Sequence, residues 1–217
     1  MKVINLGEKN SLLNTFVAQL RDKKVQKDSM RFRKNLERIG SIFAYEISQT
    51  MNYSPKSVET PLGIANIQTY DTKVVIATIL RAGLPLHEGI LNFFDDAQNA
   101  FIAAYRKYGK DNKFQIHLEY ISSPKVEGKI LVLADSMLAT GSSMVLAYNK
   151  MCELGEPAHT HIVCPIASEQ SLGYLSRNLP HKKVTLWVAA VDEELTNKSF
   201  IVPGIGDAGD LAYGDKL

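Results

Sequence analysis

Four short runs constrain the fold of this chain more than any other feature: "KVVIATIL" (73–80), "KILVLA" (129–134), "THIVCPI" (160–166) and "VTLWVAA" (184–190). Each is apolar with little interruption and rich in β-branched residues. A strand with one face in water alternates polar and apolar side chains, whereas a strand covered on both faces does not. Helical patterns follow three of the runs: "LHEGILNFF" after the first, then 142–154 and 168–178. Strand then helix, repeated, predicts a mostly parallel, Rossmann-like α/β sheet flanked by helices.

The remaining segments fit around that sheet. "AFIAAY" and "FQIHLEY" are further strand candidates. Residues 28–51 carry Leu36, Ile39, Phe43 and Ile47 at helical spacing behind an Asp28 or Ser29 N-cap. "SVETPLGIANIQTY" (57–70) reads as a β-hairpin turning at Thr60–Gly63, an appendage rather than a separate domain. At 217 residues the chain suits one such domain. Its 25 basic and 23 acidic residues leave a charge of +2, so no global field argues for nucleic acid. Cys152 and Cys164 lack a CxxC partner and read as buried, reduced thiols. The N-terminus has no apolar signal region and no run reaches transmembrane length. The expectation is a soluble, cytoplasmic protein with no membrane partner.

In sheets of this kind ligands bind beyond the carboxyl ends of the strands, so the strand-to-helix turns carry the chemistry. "ILVLADSMLATGSSM" (130–144) ends a buried run at Asp135 and opens a helix with Thr140, Gly141, Ser142 and Ser143. Small and hydroxyl residues at a helix N-terminus are good caps and, equally, a phosphate cradle of free N–H groups. A carboxylate five residues earlier would repel that phosphate, so it suits hydroxyls of the same ligand. Acid plus cradle fits a ribose 5-phosphate. No GxxxxGK[ST] is present, and no GxGxxG follows a strand.

A second turn, "ILRAGLP" (79–85), places Arg81 at a strand end, where a guanidinium fork suits phosphate or diphosphate. "YRKYGKDNK" (105–113) adds Arg106 in a polar loop able to close over a polyanion. Near the C-terminus, "SFIVPGIGDAGDLAYGDKL" (199–217) is too rich in Gly and Asp for a regular element. Phe200, Ile201, Val202 and Ile205 would anchor it, and its backbone could present N–H and C=O groups to a flat base.

Taken together, "RFRKNLERIGSIFAYE", "ILRAGL", "DSMLATGSS" and "FIVPGIGDAGD" closely resemble the uracil phosphoribosyltransferase family, in order and across nearly the whole chain. The acid-then-TG loop marks phosphoribosyltransferases generally, and the PGxGDAGD stretch marks the uracil enzymes. The resemblance implies the type I phosphoribosyltransferase fold and a reaction: uracil N1 attacks C1 of 5-phosphoribosyl 1-diphosphate, giving UMP and diphosphate. It implies that Asp135, Ser136, Met137, Leu138, Ala139, Thr140, Gly141, Ser142 and Ser143 hold the ribose and 5-phosphate. Arg81 and Arg106 would face the diphosphate. Ile201, Gly206, Asp207 and Ala208 would read uracil, with Asp207 also near the phosphoribosyl group. Asp135, Arg81 and Asp207 are then the catalytic candidates, and Asp207 the one carboxylate nominated to help N1 lose its proton. Mg²⁺ is expected on the diphosphate, held mainly by substrate and water rather than by protein. A homodimer is the minimal assembly, and GTP as an effector stays open.

Several positions depart from the family pattern. Ser136 stands where Pro is usual, Phe200 where Tyr is common, and Pro85, Glu194 and Ser199 where Gly is. The loop after Arg106 lacks the Thr often found four residues on. None of these removes an expected catalytic group. The five histidines match no family motif and read as structural or surface residues. Two rival readings remain. One is a transferase for another base. The other is a regulatory RNA-binding protein on the same fold, using "RDKK" (21–24) and "RFRKNLER" (31–38); acids interleave with those bases, and no aromatic-basic stripe accompanies them.

Overall fold

The computed structural model describes residues 1–108 and 114–216, with the backbone alone for 104–108 and 114–118. In chain order the elements begin with β1 (Lys2–Asn5), α1 (Leu12–Arg21) and α2 (Ser29–Ser48). β2 (Tyr53–Thr60) and β3 (Gly63–Tyr70) follow, then β4 (Val74–Leu80), α3 (Leu84–Leu91), β5 (Gln98–Tyr108) and β6 (Phe114–Ser122). The second half holds β7 (Ile130–Ala134), β8 (Met137–Leu138), α4 (Ser142–Cys152), β9 (His159–Ser168), α5 (Glu169–Asn178) and β10 (Val184–Asp192). β11 (Glu194–Leu195), β12 (Ile201–Val202) and α6 (Ala208–Tyr213) close it.

The main sheet runs β1-β10-β9-β7-β4-β5-β6, with β8 also on β9. Every pairing is parallel except β5 with β6. From β4 the chain moves one way to β5, then returns to β7 on the other side and continues to β9 and β10. The order therefore reverses between β4 and β7, which is where such sheets open a crevice for a ligand.

The non-alternating runs are explained by two cores. Ile76, Val132, Val163 and Trp187 pack with α1, α2, α3 and α6 on one face. Val75, Leu131, Leu133, Ile162 and Leu186 pack with α4 and α5 on the other. Neighbouring residues of one strand thus point into different cores, and a polar residue at either would be buried. Cys152 and Cys164 are free; Cys164 is buried as expected, whereas Cys152 is only half-buried.

α2 starts where its cap residue says: the Asp28 side chain accepts from the Arg31 N–H at 3.0 Å. The helix after β4 begins at Leu84, two residues before its apolar pattern, with Pro85 in its first turn. β2 and β3 pair in register from Tyr53–Tyr70 to Thr60–Gly63, so the hairpin starts four residues earlier than the sequence suggests. It stands off the main sheet with Leu62, Ile64 and Ile67 exposed. β1 is a four-residue edge strand, and α1 is a ten-residue helix opened by a Ser11–Asn14 capping box, with Leu13, Val17 and Leu20 buried along one face.

The histidines are structural where they are buried. His87 contacts Asn99 at 2.7 Å, and His161 accepts from Trp187 Nε1 at 3.1 Å. Burial pulls His161 down to about 3, so it stays neutral. Among the described residues no helix is long and apolar enough to cross a membrane.

Candidate active site

Four adjacent parallel strands, β10, β9, β7 and β4, end on one edge of the sheet. At or just past those ends stand Asp192, Ser168, Asp135 and Arg81. The sequence singles out the last two.

Asp135 continues the β7 ladder by one bond, its N–H donating to Val163 O at 3.1 Å. Its Oδ1 accepts from the Ser136 N–H at 2.7 Å. The residue keeps some surface, but its carboxyl is sunk at the strand end. Burial pushes that carboxyl up to about 7, against the opposing pull of the Ser136 and Met137 N–H groups. A carboxyl so placed is readily ionised by a hydroxyl-rich or cationic ligand.

Residues 136–141 form a loop strapped to β9. Met137 and Leu138 pair with Ile166 and Ala167, and the Ser168 hydroxyl donates to the Ala139 carbonyl. Ser168 also caps α5 by accepting from the Ser171 N–H at 3.0 Å. The Thr140 and Ser142 hydroxyls lie 2.7 Å apart, bonded to each other. Gly141 is the N-cap of α4 at φ +80, and the Thr140 hydroxyl accepts from the Ser142 N–H at 3.4 Å. The other first-turn N–H groups and the positive dipole end are available to an anion. A Cβ on Gly141 would meet Leu175 Cδ1 at 2.5 Å, and at φ +80 any other residue is strained there.

Arg81 follows β4 and turns toward the C-terminal segment. Its Nη2 donates to Asp210 Oδ1 at 2.8 Å and its Nη1 to Gly214 O at 3.2 Å. The Leu80–Arg81 and Val202–Pro203 peptide bonds are cis. Arg106 is on β5 opposite Ile116, and its side chain lies outside what the structure describes, as do residues 109–113 of the loop expected to close over a polyanion.

The C-terminal segment is anchored by two of the four apolar residues expected to hold it, Ile201 and Ile205, whereas Phe200 and Val202 are exposed. Despite its Gly and Asp content, residues 208–213 form a helix, α6. Ile201, Ile205 and Ala208 are buried, and Ile201 and Val202 pair with β11. Gly204 and Gly206 have φ of +57 and +84, which bends the backbone between them. The Asp207 carboxylate caps α6, accepting from the Gly209 and Asp210 N–H groups at 2.9 and 3.1 Å, with Lys216 Nζ at 3.2 Å. Burial works upward on Asp207, but those N–H groups and Lys216 hold it below the usual carboxylate range.

Four side chains with a part in this arrangement escape the sequence reading. Ser168 fixes the phosphate-loop candidate. Arg33 donates to Ala212 O at 2.6 Å and stacks over Tyr213. Arg21 and Asp192 pair at 2.7 Å. A readable signal existed for Asp192, which ends an apolar run as Asp135 does, and for Ser168, which precedes a helical pattern. Basic residues offered above as an RNA patch are largely taken up inside the molecule: Arg21 on Asp192, Arg33 on α6, Arg38 over the Phe16 ring, and Lys34 on Glu37.

Among the described residues no group of three or more metal-ligating side chains is gathered. Asp135 offers one carboxylate to a divalent cation at the end of β7. That fits a cation carried mainly by the oxygens of a polyanionic ligand and water, rather than one caged by protein.

A family model described as Uracil phosphoribosyltransferase matches residues 8–215. A uracil phosphoribosyltransferase of Porphyromonas gingivalis is 52% identical over 217 residues, covering 100% of both chains. The solved AQ2163 protein of Aquifex aeolicus superposes with a TM-score of 0.87 at 29% identity, covering 99% of each chain. A hypoxanthine phosphoribosyltransferase of Staphylococcus aureus, at TM-score 0.50 and 10% identity, covers 75% of this chain and 76% of that one; it shares the fold.

Proposed function

We infer the roles of these residues from one premise: the chain belongs to the uracil phosphoribosyltransferase family. Its fold is the type I phosphoribosyltransferase fold, and its activity is pyrimidine salvage: uracil and 5-phospho-α-D-ribose 1-diphosphate give UMP and diphosphate. The observation that carries the assignment of roles is the convergence of Asp135 and Arg81 on either side of the β4–β7 reversal, with the Gly204–Asp210 segment bonded to Arg81.

In this reading the 5-phosphate sits on the open N-terminus of α4, against the Thr140, Ser142 and Ser143 hydroxyls. Ser136 to Ala139 shape the loop and keep it on β9. Asp135 accepts from the ribose hydroxyls, and its charge favours the cationic character that C1 acquires as the diphosphate leaves. Arg81, with Arg106, draws negative charge at the departing diphosphate. Mg²⁺, when bound to that diphosphate, offsets further charge. Ile201 and the Gly206–Ala208 backbone hold uracil in plane with N1 directed at C1, so that positioning supplies much of the rate. Asp207 is ionised at neutral pH and already satisfied as a helix cap. It serves as a fixed negative charge near the phosphoribosyl group, and as a base for N1 it is weak.

Residues 1–217 act as one domain, since both cores share one sheet. Two copies pair, and the hairpin with its exposed apolar side chains is the surface that supports this. Free cysteines support a reducing, cytoplasmic setting.

The test is a base panel: labelled uracil, cytosine, hypoxanthine or orotate with phosphoribosyl diphosphate, with and without Mg²⁺. UMP should form only with Mg²⁺ and phosphoribosyl diphosphate, and uracil should be preferred. Equal use of hypoxanthine or orotate would exclude the uracil reading.

A further inference from the structure

Asp192 ends β10 on the ligand edge and is 6% exposed. Arg21, the last residue of α1, reaches it with both guanidinium arms: Nη1 to Oδ2 at 2.8 Å and Nη2 to Oδ1 at 2.7 Å. The same pair holds Gly204. Arg21 Nη1 donates to Gly204 O at 3.0 Å, and the Gly204 N–H donates to Asp192 Oδ2 at 2.9 Å. Nearby, Gln26 Nε2 donates to Ile205 O at 3.4 Å.

Gly204 has no side chain by which to be held, and none would fit: a Cβ there would run into the Ile201 carbonyl. Its place is set by backbone bonds, and the two that leave the segment end on one ion pair. From Gly204 the chain continues directly into Ile205–Ala208. A backbone N–H and C=O that must distinguish uracil from cytosine need to be placed within a fraction of an ångström. Solvated loops do not achieve this alone.

We propose that Arg21 is a positioning residue for base recognition. Through Asp192 it fixes Gly204, and so sets where the 201–208 backbone stands against the base, touching neither substrate itself. This rests on the reading above that residues 201–208 receive uracil. A lysine cannot replace the fork: one ammonium does not span both Asp192 oxygens and the Gly204 carbonyl in fixed geometry.

The test is steady-state kinetics on the full chain for Arg21→Lys and for the double variant Arg21→Met/Asp192→Asn. The second variant avoids leaving an uncompensated buried charge and keeps an acceptor for the Gly204 N–H. Melting curves identify the temperature at which each variant is folded, and rates are taken below it. KM for uracil should rise about ten-fold, the equivalent of one well-placed hydrogen bond. KM for phosphoribosyl diphosphate should stay within about two-fold, and discrimination against cytosine should fall. An unchanged KM for uracil, or equal rises in both KM values, overturns the proposal. If Arg21→Lys does not fold, the double variant decides alone. Gly206→Val separates the two claims. If it raises KM for uracil while the Arg21 variants do not, the positioning role alone fails. If it too is silent, the assignment of uracil to 201–208 fails, and the proposal with it.

Discussion

Arg81 and Asp210 are joined at 2.8 Å, which ties the turn after β4 to the first turn of α6. The expected diphosphate contact and the expected base-reading segment therefore share one guanidinium. Both side chains are about a third exposed, so the ion pair itself contributes little to stability, on the order of 0–1 kcal/mol. Its consequence is for catalysis. Arg81→Lys keeps the charge but loses the planar fork. KM for phosphoribosyl diphosphate should rise about ten-fold or more, with KM for uracil rising less. Unchanged dependence on phosphoribosyl diphosphate would remove Arg81 from the diphosphate site.

Asp135→Asn should leave the fold intact and lower kcat by about 10²–10³, because the amide fills the site without the charge. Stability supplies an independent reading. The folded pKa, about 7, lies above the unfolded 3.8, so the folded chain binds the extra proton between those values. Stability from this group is thus fully present below 3.8 and is lost as pH rises toward about 7. Asp135→Asn removes that loss. Its melting temperature should exceed wild type by more at pH 8 than at pH 5. An offset independent of pH would show that the carboxyl is not held in this raised state.

Gly141→Ala tests the cradle. The added methyl meets Leu175 and the residue must keep φ +80, a combined cost of about 1–3 kcal/mol. In wild type, UMP should raise the melting temperature more than uridine does at equal concentration. That difference measures the 5-phosphate contact, and it should shrink in Gly141→Ala. A preserved difference would place the phosphate elsewhere.

At the base end, Gly206 has room for a Cβ, whose nearest neighbour is Leu211 Cδ1 at 3.8 Å. That open space is where the base is expected. Gly206→Val should abolish uracil use, through crowding of the base plane and the strain of a β-branched residue at φ +84. Phe200 is 42% exposed, and Phe200→Tyr should be nearly silent in both KM values. Substantial uracil turnover by Gly206→Val would contradict the backbone-reading account.

The sheet could be read in advance because both its faces are covered, so its strands lose the alternation that would otherwise confuse them with half-buried ones. The turn after β7 could be read because an acid at the end of such a strand is conspicuous. α1 carries a local signal too, Leu13, Val17 and Leu20 at helical spacing behind a Ser11 N-cap, but nothing in that pattern says where its last residue reaches. Without α1, Arg21 looked like part of a basic patch. Its partner Asp192 is 171 positions away, and no local pattern links a helix end to a strand end across that distance. Ser168 was missed for a related reason. A serine before a helix is a sufficient cap, and its second bond, to Ala139 on another loop, exists only once β8 lies on β9.

A crystal structure of the protein with UMP tests directly whether one ligand spans the α4 N-terminus and the 201–208 backbone. The phosphate should lie on the first-turn N–H groups of α4, the ribose hydroxyls on Asp135, and uracil O4 and N3–H on backbone groups of residues 201–208. A base held by side chains elsewhere, with residues 201–208 disengaged, would contradict that placement.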